Sequence, residues 1–259
     1  MTPNIDYKTE YYEKMKPNYK DFDEFLPDYW QMKYFDRWAD ILELLPQDKI
    51  IDISVLDIGC GMGRAIRYFN GFGAKCLGVE PSDYAAGIAR ERGVEVVNDY
   101  FENVAIDSLF DIVHIEQVLS HTPVPQMTLT KAFKLLADDG VLVVEEPNDG
   151  NALQEILRKE HGTYWITPDH ANYFSFESLE KVLNTCGFDV VLKTCTYPME
   201  LFEVMGDKYI GNEAKGREVH RKRYQMESSL SPDLRKKLML GFAGIGLGRD
   251  IILYARKVN

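Results

Sequence analysis

The chain has 259 residues, of which 45% are hydrophobic and 27% charged, and its formal net charge at pH 7 is −11. This length suffices for one large domain, or for one domain with a sizeable insertion, around a hydrophobic core. The acidic balance argues against a general nucleic-acid binder, whose surface is normally basic. No apolar run approaches the roughly 20 residues that a membrane span needs.

The start of the sequence and its cysteines bear on location. The first seven residues carry neither a basic start nor an apolar stretch, so we predict no secretory signal. The cysteines, at positions 60, 76, 186 and 195, show no metal-binding spacing. Free thiols in a reducing compartment are the simplest interpretation, which predicts a cytoplasmic protein.

Residues 1–50 are rich in tyrosine and in acidic side chains. Apolar residues recur at helical spacing over 38–45 and stop at Pro46, which predicts a helix that packs on a sheet. The earlier part is too aromatic for a disordered tail. Two interpretations are open: a helical lid over a ligand, reached by Tyr11 or Tyr12, or helices that carry tyrosines at the surface.

A glycine-rich segment follows at residues 55–64, which read VLDIGCGMGR. The pattern predicts a buried strand, a tight turn and a helix over 65–70, and the glycines let the backbone approach a ligand closely. The next predicted strand, 76–79, ends in Glu80, whose carboxylate can accept hydrogen bonds from both hydroxyls of a ribose. Arg64 stands where the dinucleotide fingerprint needs a glycine. The segment therefore predicts an adenosine-containing cofactor other than a nicotinamide or flavin dinucleotide.

Strands and helices alternate from residue 53 to residue 147, which is typical of a parallel sheet with right-handed crossovers. Ser82 can cap the helix that Gly93 ends, and Ser175 can cap a helix over 176–186. Further strands are predicted over 188–193 and 250–256.

Residues 56–63 resemble motif I of the class I S-adenosylmethionine-dependent methyltransferases, and the resemblance continues in order along the chain. Similar segments are the second motif at 80–82, the third strand at 96–99, the fourth at 110–115 and the fifth at 135–144. The resemblance implies an α/β fold, with a Rossmann-like seven-stranded sheet and helices on both faces. Its expected parts are an N-terminal helical lid (1–50), the cofactor-binding core (51–195), a helical insertion on the acceptor side (196–248) and the last strand (249–259).

The same resemblance implies S-adenosylmethionine as the cofactor. Asp99 matches the acid that usually lies near the adenine amino group. The positions expected to contact the cofactor are Asp57, Gly59, Cys60, Gly61, Glu80, Pro81, Asp99, Tyr100, Glu116 and Tyr11.

Residues 116–123, after the fourth strand, resemble a Val-Leu-Glu-His segment of small-molecule methyltransferases, with His121 on the family's histidine. In ubiquinone-pathway relatives, glutamates in this segment hold a divalent metal with that histidine. Gln117 and Ser120 stand at those glutamate positions, which predicts no metal. His121 suits a general base for an alcohol; alternatively it bonds the backbone or the cofactor carboxylate.

Residues 164–175 are similar to a Trp-x-x-Pro-x-His-x-Asn-Tyr-Phe-Ser pattern of methyltransferases from polysaccharide and natural-product clusters. This resemblance implies that Glu146, Asn148 and His170 line an acceptor pocket, with Trp165 as a wall for a sugar ring. The alternative is that His170 only caps the next helix or bonds loop backbone.

The insertion contains a basic run at 215–237, with eight basic and three acidic side chains and a net charge of +5. It is either a solvated helix face or a place where an anionic acceptor docks at Arg217, Arg221 and Arg223. The sequence as a whole predicts a methyltransferase for a small acceptor, anionic or sugar-linked, most plausibly an oxygen of a sugar or glycan precursor. The alternatives are methylation of a nitrogen or a carboxylate, or a non-catalytic partner subunit that binds the cofactor.

Overall fold

The computed structural model describes residues 6–14, 16 and 19–258, without the side chains of residues 13, 19, 22 and 23. Within this part of the chain, seven strands form one sheet: β1 Ser54–Ile58, β2 Lys75–Val79, β3 Val96–Val97, β4 Phe110–Glu116, β5 Leu136–Pro147, β6 Phe188–Cys195 and β7 Asp250–Lys257. The α-helices of the same part are α1 Tyr11–Lys14, α2 Tyr19–Glu24, α3 Pro27–Leu44, α4 Arg64–Gly71, α5 Asp83–Glu91, α6 Pro125–Leu135, α7 Ala152–His161, α8 Phe176–Thr185, α9 Glu200–Val204, α10 Glu213–Ser229 and α11 Pro232–Gly244.

The strands lie in the order β3-β2-β1-β4-β5-β7-β6. β1 pairs in parallel with both β2 and β4, so the strand order reverses there and leaves a crevice at the carboxyl ends of these strands. β7 runs antiparallel to both β5 and β6. The predicted Rossmann-like α/β sheet with seven strands is confirmed, including the strand pair at its far edge.

Hydrophobic side chains cover both faces of the sheet, because neighbouring residues of a strand point to opposite sides. Val55 and Ile112 pack on one face with Trp38 of α3, as the helical spacing over 38–45 predicted. Leu56 and Val113 pack on the other face with α6 and α8. Burial on both faces explains why the central strands read as continuous apolar runs.

The predicted helix caps are confirmed. The Ser82 hydroxyl accepts from the Ala85 N–H at 3.3 Å, and the Ser175 hydroxyl accepts from the Ser178 N–H at 3.2 Å. The helix predicted over 176–186 ends one residue earlier, because Cys186 is its C-cap.

The helices α10 and α11 form most of the insertion between β6 and β7 and carry the basic run. Its side chains contact carboxylates of the same chain. Lys215 and Lys222 lie 3.2 and 2.7 Å from Asp207, and Arg235 pairs with Asp36 of α3. The run therefore joins the insertion to the N-terminal helices.

Arg217 and Arg221 also contact side chains of the same chain. Both lie over the ring of Phe25, at 5.4 and 5.1 Å from its centre, and Arg217 also pairs with Glu213 at 2.9 Å. Each of these two arginines thus contacts another side chain of the same protein, and docking of an anionic acceptor at them stays a prediction.

Two further expectations concern the chain as a whole. All four cysteines are free thiols. Across residues 6–14, 16 and 19–258, no helix combines the length and the apolar character that crossing a membrane requires.

Candidate active site

A cavity of about 740 Å³ lies at the carboxyl ends of β1, β2, β4 and β5, next to the N-terminal helices. Its volume falls within the range of small-molecule sites, about 300–1,000 Å³. The lining is continuous from the glycine turn and Glu80 to His121 and His170. Two ligands can therefore meet inside it.

The turn after β1 is closed to side chains. Gly59, Gly61 and Gly63 have φ values of +70°, +55° and +76°, a region that residues with a Cβ rarely adopt. A Cβ on Gly61 would lie 3.1 Å from the Tyr12 hydroxyl oxygen, and one on Gly59 would overlap Val118. Only glycine fits this turn, which forms one wall of the cavity.

Glu80 lies immediately after β2 and lines the cavity with a side chain that is otherwise buried. Its Oε2 accepts from the Gly61 N–H and its Oε1 from the Ser82 N–H, both at 2.9 Å. Burial raises the pKa of Glu80 to about 7, against the effect of these two donors. The carboxylate fixes the glycine turn and still faces the cavity.

Other residues expected at the cofactor lie on the same side of the cavity. Cys60, Pro81 and Tyr100 line it. Asp99 is not brought to the lining, and its Oδ1 accepts from the Tyr100 N–H at 2.8 Å and from the Asn103 amide at 3.2 Å. Of this pair, Tyr100 is the residue that faces the ligand space.

A buried charge network lies under the cavity, between α3 and the central strands. His114 Nδ1 is 2.7 Å from Asp57 Oδ1, and its Nε2 is 2.7 Å from Arg37 Nη1. Arg37 also pairs with Glu116 at 2.7 Å and with Glu145. The two expected cofactor contacts, Asp57 and Glu116, therefore belong to one network that also reaches the cavity lining.

Lys33 completes this network and was missed from the sequence. Its ammonium lies 2.9 Å from Glu116 and 2.8 Å from Glu145. Burial opposes ionisation of Glu116, but Lys33 and Arg37 outweigh it and hold the pKa of Glu116 well below its usual value. The only signal in the sequence was the four-residue spacing of Lys33 and Arg37, which places them on one helix face.

The described part of the N-terminal segment covers the cavity with tyrosines. The Tyr7 hydroxyl donates to the Asp169 carbonyl at 3.0 Å, and the ring of Tyr11 lies 5.6 Å from that of His121. Tyr12 is buried and, like Tyr7 and Tyr11, lines the cavity. These contacts favour the lid interpretation over surface packing. Residues 1–5 of the predicted lid lie outside the described residues.

His121 and His170 lie together in the cavity, with ring centres 4.8 Å apart. His121 Nδ1 lies 2.9 Å from the Asp169 carbonyl oxygen, which can only accept, so Nδ1 carries the proton and Nε2 has a free lone pair. Burial lowers the pKa of His121, and burial together with His121 lowers that of His170 to about 4. Both imidazoles are thus neutral at neutral pH, the form that removes a proton.

Glu146 does not line the cavity, so the expectation that it does is wrong. Its side chain is fully buried, and Oε1 accepts from the N–H groups of Val118 and Leu119 at 2.9 and 2.6 Å. Oε2 accepts from the Ser120 N–H at 3.1 Å. The carboxylate holds the turn that ends at His121.

Two neighbours expected in the acceptor pocket are also elsewhere. Asn148 is buried, and its amide donates to the carbonyls of Gly246 and Gly248 at 3.0 and 3.2 Å. Trp165 packs edge-on against Tyr164, with ring centres 5.2 Å apart. Neither residue lines the cavity, so both expectations are wrong.

The insertion supplies cavity residues that sequence reasoning did not place there. Tyr209, His220 and Arg223 come from the insertion, Arg249 lies just before β7, and Asp250 is the first residue of β7. The sequence marked Arg223 as part of a basic run, but it held no signal that this residue faces the same space as the glycine turn.

Comparison with known proteins agrees with this fold. Residues 29–193, more than half of the chain, match the family model of the methyltransferase domain. The chain therefore belongs to the methyltransferase domain family, and the resemblance found in residues 56–63 and the later motifs is confirmed.

Individual relatives match only part of their own length. The chain is 32% identical over 143 residues to the C-methyltransferase NovU of Streptomyces niveus, covering 53% of this chain and 33% of NovU. It is 27% identical over 173 residues to the ubiquinone biosynthesis O-methyltransferase of Agrobacterium fabrum, covering 61% of this chain and 66% of that protein. The chain thus spans less than two thirds of either relative.

The fold is also that of a solved structure, a possible histamine N-methyltransferase from Thermotoga maritima. The TM-score is 0.59 at 20% sequence identity, over 95% of this chain and 97% of the other. This likeness confirms the S-adenosylmethionine-dependent methyltransferase fold.

Proposed function

We propose that this protein transfers the methyl group of S-adenosylmethionine to an oxygen of a small molecule, a sugar or a glycan precursor. The observation that carries the proposal is the single cavity that joins the glycine turn and Glu80 to the His121–His170 pair. Membership of the methyltransferase domain family supports the methyl transfer. A cytoplasmic location, in keeping with four free cysteines, is part of the same proposal.

The cofactor takes the side of the cavity near β1 and β2. Glu80 accepts hydrogen bonds from the ribose hydroxyls, and Gly59 and Gly61 allow the backbone to approach. Tyr100 and Tyr11 line the same cavity, where they would contact the adenine and the methionine end of the cofactor.

The acceptor lies between the cofactor and the two histidines. Methyl transfer forms a C–O bond as the C–S bond breaks, and the sulfur keeps the electron pair. His121 Nε2 takes the proton of the acceptor hydroxyl, while the Asp169 carbonyl holds the ring in the matching tautomer. Positioning of donor and acceptor supplies the rest of the catalysis.

The lining near the insertion supports a polar acceptor. Asp250 and Arg249 are polar groups of this lining, and its aromatic members Tyr29 and Trp30 have the guanidinium groups of Arg223 and Arg64 at 4.6 and 3.8 Å from their ring centres. An anionic or sugar-linked acceptor fits such a mixture of rings and charges.

The decisive experiment measures formation of S-adenosylhomocysteine with a panel of nucleotide sugars, free sugars, amines and carboxylic acids. Turnover of hydroxyl acceptors supports the proposal. Turnover confined to amines or carboxylates would replace it with nitrogen or carboxyl methylation. Tight cofactor binding without turnover of any class would indicate a non-catalytic partner subunit.

Replacing Glu80 tests the cofactor position. Each charge-assisted bond to a ribose hydroxyl contributes roughly 1.5–3 kcal/mol, so Glu80→Ala should weaken S-adenosylmethionine binding at least tenfold in calorimetry. Glu91→Ala, an exposed acid on α5, is the matched control and should bind normally. The ionised carboxylate accepts both hydroxyls. Because the pKa of Glu80 is raised to about 7, wild-type affinity should fall as the pH drops below that value. Equal affinity of Glu80→Ala and wild type would refute the assignment.

Catalysis should not require a divalent metal. Gln117 donates to Asp250 at 3.1 Å, Ser120 is fully buried, and neither side chain offers a carboxylate. Dialysis against a chelator should therefore leave turnover unchanged. Loss of activity that magnesium or zinc restores would contradict this and would point to His121, Asp169 and His170, whose potential ligand atoms lie within 4.8 Å of one another.

A further inference from the structure

One wall of the cavity carries basic side chains that methyl transfer itself does not use. Arg223 and His220 come from α10, and Arg249 lies just before β7. These residues converge because the insertion folds back over the end of the sheet. All three residues therefore line the ligand space.

A buried glutamate holds Arg249. Its Nη1 donates to Glu200 Oε1 at 2.6 Å, and Glu200 is fully buried. The arginine side chain is nevertheless 41% exposed, and it lines the cavity. A guanidinium has five N–H donors in a rigid fork, so one bond to Glu200 fixes its orientation and leaves donors for a ligand.

Arg223 lies on the same wall and is more deeply buried. Its Nε donates to Glu227 at 2.7 Å, and its guanidinium lies 4.6 Å from the centre of the Tyr29 ring. Glu227 thus takes one edge of this arginine, as Glu200 does for Arg249.

His220 lies near both arginines. Burial, followed by the positive charges of Arg223 and Arg249, lowers the pKa of His220 to about 4, although Asp250 opposes the shift. The Asp250 oxygens accept from Gln117 and from the Thr196 hydroxyl at 3.1 and 2.7 Å. His220 is therefore neutral at neutral pH, and the positive groups of this wall are the two arginines.

We propose that Arg249, supported by Arg223 and His220, binds an anionic group of the acceptor, a carboxylate or a phosphate monoester. Planar or tetrahedral oxyanions match the guanidinium fork. An arginine that is already oriented loses less side-chain freedom when it binds such an anion. This inference rests on the proposed function only in identifying the ligand as the methyl acceptor. It replaces Arg217 and Arg221 by residues that face the cavity.

The test is calorimetry on the protein saturated with S-adenosylhomocysteine, with glucuronate, glucose 6-phosphate and glucose as probes. The carboxylate and the phosphate arms distinguish the two anions. We expect wild type to bind at least one anion tenfold or more tightly than glucose. Arg249→Met should lose that preference while its affinity for S-adenosylmethionine stays unchanged.

Arg217→Met is the matched control, because Arg217 is 39% exposed and pairs with Glu213 outside the cavity lining. It should bind like wild type. Arg249→Lys should keep part of the affinity for glucose 6-phosphate, since an ammonium binds phosphate as a point charge. A purely structural arginine would give no such rescue.

A second readout covers the case that Arg249→Met fails to fold. In wild type, titration of the His220 ring signals by NMR should show a higher pKa with bound anion than with glucose, because the anion favours the charged imidazole. Equal binding of glucose and of both anions by wild type, an unchanged His220 titration, or retained anion preference in folded Arg249→Met would each overturn the inference. If wild type does not bind S-adenosylmethionine, that result refutes the proposed function instead.

Discussion

Gly61→Val should give a folded protein with no detectable binding of S-adenosylmethionine. The Gly61 φ of +55° is one that valine avoids, and its Cβ would lie 3.1 Å from the Tyr12 hydroxyl oxygen. The backbone strain costs about 1–3 kcal/mol, which a domain of ordinary stability survives. The branched side chain, however, occupies the space that the cofactor needs. Calorimetry with S-adenosylmethionine measures the loss.

Gly93→Val separates strain from obstruction. Gly93 also has a positive φ, +77°, but a Cβ there meets no atom within 4 Å and the residue lies outside the cavity lining. Both variants should lose similar stability in thermal unfolding, and only Gly61→Val should lose binding. Normal binding by Gly61→Val would mean that the cofactor does not lie against the glycine turn.

His121→Gln should lower kcat by about 10²–10⁴-fold while the affinity for S-adenosylmethionine stays within twofold, about the scale of general-base catalysis. Glutamine keeps a donor that can reach the Asp169 carbonyl but has no basic nitrogen. The measurement is steady-state turnover with a hydroxyl acceptor from the panel. His161→Gln is the control, because His161 lies outside the cavity lining and 3.1 Å from Glu203.

The pH dependence gives an independent check on the base. Burial lowers the pKa of His121, and a base acts in its neutral form, so at saturating S-adenosylmethionine the kcat/KM for the acceptor should be level near neutrality and fall on acidification. The acid limb should lie below the usual histidine pKa of 6.5. Unchanged kcat in His121→Gln would contradict the role of His121 as the base. Unchanged kcat in both His121→Gln and His170→Gln would contradict a role for either histidine in proton removal.

The predictions that held depend on contacts between residues close in sequence. The glycine turn, the caps by Ser82 and Ser175, and the position of Glu80 at the end of β2 follow from backbone requirements within a few residues. Hydrophobic periodicity located the sheet strands for the same reason, because it reports which side of an element faces the core.

Glu146 shows where local reasoning fails. The sequence places it just after the predicted fifth strand, beside the acceptor segment, but does not give the direction of its carboxylate; in the structure it lies within β5. In the folded chain, the backbone N–H groups of Val118, Leu119 and Ser120, in the turn after β4, donate hydrogen bonds to the two carboxylate oxygens of Glu146. Tertiary packing decides which donors reach a buried carboxylate, and no local sequence pattern predicts which donors these are.

The basic run of the insertion is the second such case. Its composition predicted either a solvated face or a docking site, and charge counting could not choose between them. Folding pairs Arg235 with Asp36, lays Arg217 on Phe25 and turns Arg223 into the cavity. These outcomes depend on how α10 and α11 pack against α3, across contacts separated by about 200 residues.

The sequence by itself determined the family, the α/β sheet and the positions of the glycine turn and Glu80, because these two lie at the ends of adjacent strands whose order follows from the chain. Only the tertiary structure decided which other residues line the cavity. His121, His170, Arg223 and Arg249 come from four separate segments, and they share a cavity because the lid, the loop after α7 and the insertion close over the same sheet edge. Such a meeting of distant loops is set by packing, which no local pattern encodes.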